Sequence, residues 1–295
     1  MLEEMETLAP DQAGNVTPPE PSGPETIRLK PTKGFSRVLA PKELWRYRDL
    51  AAQIAMRDVT IRYRQTALGA AWAVLQPIGF MVVFSLIFGE LAGVSSDGLP
   101  YPLFSLAALV PWTFFATSLQ LGSDSLVSNS ELVSKIYFPR IFMPAGVIVA
   151  SLVDLGVSLV ILFILVFCWG LVPSPAVLLL PFLVLVAAAA ALGISAALSA
   201  INVRYRDVRY VVPFGIQLWL FATPVAYSAT LLGQPWRTVA AINPMVGVVE
   251  GFRWAALDSA APLELIAVST VSALVILVAG LAYFDRAERA FADYV

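Results

Sequence analysis

Arg57, Arg62 and Arg64 stand together just ahead of the first long apolar run of the chain. A guanidinium presents a planar fork of donors that matches a phosphate. The three can therefore hold a phosphorylated group, or the headgroups of an anionic bilayer. Covalent chemistry has little to work with here. The chain has no histidine, which removes the commonest general base and the commonest zinc ligand. Its single cysteine, Cys168, excludes an intramolecular disulfide and a cysteine metal cluster. The four lysines are Lys30, Lys33, Lys42 and Lys135, and none belongs to a Gly-x-x-x-x-Gly-Lys-Ser/Thr loop that could cradle a nucleotide phosphate. Glu90 and Asp154 are the acids set in or beside apolar runs, and they lie 64 positions apart, so they do not form an acid–base pair by proximity in sequence. Asp154 is costly in lipid and is expected to face protein or water, paired with Arg140 or bonded to a neighbouring span.

The elements that carry these residues follow from the uncharged runs. The composition is 58% hydrophobic and 14% charged, far from that of a soluble domain. A helix needs about 20 apolar residues to cross a bilayer core. The runs divide into six spans, at roughly 67–90, 102–122, 144–169, 177–201, 211–230 and 264–284. Between the fourth and the third, Val172-Pro173-Ser174-Pro175 supplies the break. Seventeen of the nineteen Lys and Arg residues fall on one side of this arrangement; only Arg237 and Arg253 fall on the other. The positive side is cytoplasmic, which places both termini inside. The expected fold is thus an all-α integral membrane protein with six transmembrane helices. A proton- or sodium-coupled transporter would need several intramembrane charges or a doubled broken-helix pattern.

Outside the spans, residues 1–40 are proline-rich and acidic without helical period, and read as a mostly disordered cytosolic tail with no cleavable signal peptide. Residues 41–66 read as an amphipathic interface helix, with Leu44, Tyr47, Ala51, Ile54 and Ile61 on one stripe and Arg46, Asp49, Gln53, Arg57, Thr60 and Arg64 opposite. Residues 67–284 form the six-span domain, and 285–295 a cytosolic C-terminus. Between the second and third spans, Ser128 and Glu131 make a Ser-x-x-Glu capping box. It predicts a short helix over about 128–137, through Leu132, Val133, Lys135 and Tyr137, ended by Pro139. A helix so short must dock on this chain or on a partner. In the external segment, Pro235 and the Asn243-Pro244 pair each mark a helix start, giving two short helices over about 233–258 that include Trp236 and Phe252. Their apolar character is better sheltered by dipping back into the membrane. Glu250 and Arg253, three apart, can pair on one helix face. Ala187, Ala191, Ser195 and Ser199 form a small-residue stripe suited to close helix packing.

Four strings then resemble one family. Arg62-Tyr63-Arg64-Gln65-Thr66-Ala67-Leu68-Gly69 leads to Trp72-Ala73-Val74-Leu75-Gln76-Pro77. Leu132-Val133-Ser134-Lys135-Ile136-Tyr137-Phe138-Pro139-Arg140 follows in the second cytosolic segment. Asn202-Val203-Arg204-Tyr205-Arg206-Asp207-Val208-Arg209-Tyr210 is the third, and Asn243-Pro244-Met245 with Gly251-Phe252-Arg253-Trp254 the fourth. Together they resemble type-2 ABC transporter permeases of the polysaccharide-export class, which export O-antigen, capsule, teichoic acid or galactan. The resemblance covers about 40–295.

That resemblance implies a multi-pass protein of the cytoplasmic (inner) membrane that works as a homodimer with two copies of a separate ABC ATPase. The chain itself would be no enzyme and carry no cofactor; ATP and Mg would be bound by the partner. The substrate would be a lipid-linked glycan, with membrane lipids as further contacts and no nucleic acid. Ser128, Glu131, Leu132, Val133, Lys135 and Tyr137 would form the coupling helix seated on the ATPase, with Asp207 and the neighbouring arginines as a second cytosolic surface. Arg57, Arg62 and Arg64 would receive the pyrophosphate of the lipid carrier. A channel at the dimer axis would be lined by the first and fifth spans, through Phe80, Phe84, Phe88, Trp219 and Tyr227, since sugar C–H faces pack on aromatic rings. Trp236, Asn243, Pro244 and Phe252 would belong to an extracellular gate. An ABC exporter of a drug, peptide or lipid is the alternative.

Overall fold

The computed structural model describes residue 45 and residues 47–64, 71–135 and 138–288. The tail expected over 1–40 lies outside the described residues. The described chain forms ten α-helices and no strand. They are α1 (Arg48–Arg64), α2 (Ala71–Phe84), α3 (Tyr101–Ser128), α4 (Ser130–Lys135), α5 (Phe142–Cys168), α6 (Leu180–Arg204), α7 (Val208–Ala222), α8 (Trp236–Ala240), α9 (Pro244–Leu257) and α10 (Leu263–Glu288). A π-helical turn, Ser85–Leu91, extends α2, and a 3-10 turn, Pro175–Leu179, leads into α6.

Five stretches are long and apolar enough to cross a membrane: Val74–Leu91, Tyr101–Ser128, Phe142–Cys168, Pro175–Arg204 and Leu263–Glu288. The span expected over 211–230 is shorter as a helix. It is α7, which has 15 residues. At about 1.5 Å per residue such a helix falls short of a bilayer core of about 30 Å. The cause is local. Thr223 precedes Pro224, and a residue before proline avoids helical geometry; Thr223 is extended, with φ −106° and ψ 138°.

Helix α3 is the centre of the bundle, buried along most of its length. Helix α6 packs against both α3 and α10. The small-residue stripe makes this possible, since Ala187, Ala191, Ser195 and Ser199 are all buried. A Cβ at Gly193 would come within 2.6 Å of the Ile276 carbonyl, and one at Gly122 within 2.8 Å of the Ser195 Cβ. Glycine is required at both contacts by close approach rather than by backbone angle.

Helix α1 seats Ile54 into a cluster with Phe138, Phe142, Met143 and Phe284 at one end of the bundle. Tyr47, Leu50 and Ala51 pack against the same cluster. The expected apolar stripe holds through Ile54 and then departs: Ile61 is exposed, while Arg57 and Asp58 are half-buried.

Candidate functional site

The short helix between the second and third spans exists, but it starts differently from the expectation. Ser128 is not an N-cap. It is the last residue of α3, and its hydroxyl donates to the Asp124 carbonyl at 2.9 Å. The span was expected to end near 122, whereas α3 continues to Ser128, so the serine meets a helical i−4 carbonyl instead of free N–H groups. Asn129 makes the break, and α4 follows as Ser130–Lys135. Leu132 and Val133 pack on the chain's own cluster around Ile54 and Phe142. Glu131 and Lys135 point outward and pair at 3.3 Å. Tyr137 lies outside the described residues.

Of the three arginines proposed from sequence for phosphate, only the Arg57 side chain is described. Its guanidinium donates to Asp58 at 2.9 Å and to Asn129 Oδ1 at 2.8 Å. Arg57 therefore bridges α1 to the α3–α4 junction. The Arg62 and Arg64 side chains lie outside the described residues.

The aromatics proposed as a lining do not share one environment. Phe80 is 42% exposed on α2, whereas Phe84 is 7% exposed and packs in the main core. Phe88 is half-buried with its ring 5.3 Å from that of Phe84. A π turn starts at Ser85, and the spacing of four still brings the Phe88 ring beside that of Phe84. Trp219 is half-buried on α7 and meets Phe115 edge-on at 5.2 Å. The Tyr227 hydroxyl donates to the Phe221 carbonyl at 3.3 Å.

At the other end of the bundle, the two short helices expected over 233–258 begin at Trp236 and Pro244, where the sequence placed them, and the second ends at Leu257. Asn243 is the N-cap of α9. Its side chain accepts from the Met245 N–H at 3.0 Å and donates to Thr223 Oγ1 at 2.8 Å. Pro244 and Phe252 are buried, and Trp236 is exposed. Glu250 and Arg253 pair at 2.9 Å, as their spacing predicts.

Arg253 does more than its spacing foretells. It is 1% exposed and donates to the carbonyls of Phe104 (3.3 Å), Tyr227 (3.2 Å) and Val225 (2.8 Å). Its guanidinium also sits 3.6 Å from the Phe104 ring centroid. Burial pulls its pKa down from the ordinary value, and the Glu250 carboxylate opposes that. Around it, the Tyr101 hydroxyl donates to the Ala226 carbonyl at 2.6 Å. Asp97 accepts from the hydroxyls of Ser228 and Thr230. The corner 223–230 is thus held from three directions. Asp97 and Tyr101 were not legible as partners, because hydrogen bonds between distant segments leave no local signature.

No group of three or more His, Cys, Asp or Glu that could hold a metal occurs among the described residues. The geometry is that of a bundle of long apolar helices with a docked short helix at one end and a polar-braced corner at the other. The model of the ABC-2 type transporter family matches residues 50–257, most of the chain. The chain belongs to the ABC-2 type transporter family. Among similar proteins of this kind, an O-antigen export system permease protein RfbA of Myxococcus xanthus is 32% identical over 259 residues, covering 86% of this chain and 98% of that protein. An O-antigen export system permease protein RfbA of Klebsiella pneumoniae is 24% identical over 246 residues, covering 83% and 94%. A polysialic acid transport protein KpsM of Escherichia coli matches a shorter part, 25% identical over 77 residues, or 26% of this chain and 30% of that one. As an ABC-2 family member with five long apolar helices, the chain is a multi-pass membrane protein.

Proposed function

We propose that this chain is the transmembrane subunit of an ATP-driven exporter that moves a lipid-linked polysaccharide out of the cytoplasm. The observation that carries this reading is the near end-to-end similarity to a protein named as an O-antigen export permease. Two copies form the channel, and two copies of a separate ABC ATPase bind ATP and Mg. Helix α4 is the coupling element, with Glu131 and Lys135 facing the ATPase. Arg57, Arg62 and Arg64 lie at the lipid-head entrance, where Arg57 exchanges Asn129 for the pyrophosphate. Helices α2 and α7 line the path. Exposed apolar residues on α7, including Phe214, Leu218 and Phe221, support a face that is covered only in the assembled pair. Helices α8 and α9 form the external gate and dip back towards the membrane.

In this reading α7 and the corner after it make the sixth crossing, and both termini are cytoplasmic. Cysteine labelling tests the arrangement in a Cys168→Ala background. Cysteines placed at Ser95, Val172 and Ala260 should react with an impermeant reagent from outside, and one at Ser130 only after permeabilisation. Labelling of Ser130 in intact cells would overturn the sidedness. The function is tested by deleting the chain. Finished glycan should then stay on its lipid carrier inside the cell, and normal surface glycan would exclude the reading. Loss of a drug, peptide or simple lipid from the exported set, with glycan intact, would favour the other branch of ABC exporters.

A further inference from the structure

We propose that Asp124 is a positioning residue that ties α4 to α7, so that movement of the cytosolic helix reorients α7. This rests on reading α4 as the coupling element and α7 as part of the path. The last turn of α3 is braced where α4 begins. Ser128 donates to the Asp124 carbonyl at 2.9 Å, and Asn129 Nδ2 donates to the Ser125 carbonyl at 2.9 Å. The Asn129 carbonyl in turn accepts from the Leu132 and Val133 N–H groups of α4 at 3.0 and 3.1 Å, so displacement of α4 moves Asp124 with it. The Asp124 carboxylate accepts from Asn202 Nδ2 at 3.2 Å and from Arg209 Nη2 at 3.3 Å. Asn202 is buried in the last turn of α6, where it also donates to the Ser123 carbonyl at 3.2 Å. Arg209 sits in the first turn of α7.

Within one copy of the chain only Val208 and Val212 of α7 are buried. Few contacts inside that copy hold α7 between its two ends. Its inner end is held by the Asp124 tie. Beyond its outer end, Thr223 is held by Asn243 and the following corner by Arg253. With the outer end fixed, a shift at the inner end becomes a tilt of the helix between them. The Asp124–Arg209 pair is half-exposed, and such pairs add little to stability. Its contribution is to geometry.

The test uses the full chain with its ATPase in cells. Asp124→Ala should leave membrane level, ATPase co-purification and basal ATP turnover at wild-type values, and Arg209→Ala should leave the membrane level unchanged. Surface glycan recovered from intact cells should fall about threefold to tenfold in each, and the double variant should be no worse than either single one. Exchanging the charges, Asp124→Arg with Arg209→Asp, should restore part of the export. Asn202 supports the exchange, because its Oδ1 is buried without a partner and can accept from an arginine there. Additive losses, wild-type export in the singles, or an exchange no better than the singles would overturn the tie. If Asp124→Ala fails to reach the membrane, Asp124→Leu decides, since it keeps the branched shape and accepts from neither Arg209 nor Asn202, and wild-type export there overturns the tie. The coupling reading fails separately: it falls if a charge at Leu132 leaves export intact, whereas intact coupling at Leu132 with silent Asp124 variants sinks only the tie.

Discussion

Replacing Leu132 by Asp is expected to abolish polysaccharide export while the permease remains in the membrane. Leu132 packs against the cluster of Ile54, Phe138 and Phe142. A carboxylate there must leave its apolar site or be buried uncompensated, and either outcome frees α4. A six-residue helix has no stability of its own in water. Once undocked it cannot carry force from the ATPase to α3. The conservative change Leu132→Met should keep most of the activity, because volume-conserving apolar swaps cost little. The measurements are surface glycan and glycan-dependent ATP turnover. Wild-type values of both in Leu132→Asp would show that force does not pass through α4.

The second large effect is on stability. Arg253→Met should lower the melting point of the purified protein markedly, with a loss of about 3–5 kcal/mol, as for other buried pairs stripped of one partner. The substitution leaves Glu250 half-buried without its cation and three carbonyls without their donor. Arg253→Lys should recover little. An ammonium is a point donor and cannot span the carboxylate and the three carbonyls that a planar fork reaches. Glu250→Gln should be milder, since an amide oxygen still accepts from Arg253 and from the Ala229 N–H. Melting followed by fluorescence size-exclusion in detergent checks all three. Equal melting points for Arg253→Met and wild type would show that the corner 223–230 is held by packing alone.

Features with local causes could be read directly from the chain. Long uncharged runs mark the five long helices because lipid demands them. The starts at Trp236 and Pro244 follow from proline and asparagine at fixed offsets, and the Glu250–Arg253 pair follows from a spacing of three. The small residues of α6 declared a close contact, although not with which helices. Other features depend on context. Ser128 and Glu131 carry a start signal, but the signal is silent once α3 runs on through Ser128. The spacing of four brings Phe84 and Phe88 together, but it does not foretell that Phe84 is buried while Phe80 is exposed. Asp97 with Ser228, and Asp124 with Arg209, are 131 and 85 positions apart. Pairs so distant become visible only when the bundle has folded. Helix α7 reads as apolar enough to span, and the Thr223-Pro224 step sets where it stops.

The most direct measurement of the central claim is the sidedness of glycan in cells lacking this chain. Lipid-linked glycan is extracted from inverted and right-side-out membrane vesicles and digested by a glycosidase that cannot cross the bilayer. The account predicts that, without the chain, finished glycan is digestible only in inverted vesicles, and that restoring the chain together with its ATPase returns it to the outer face. Glycan on the outer face in the absence of the chain would contradict it.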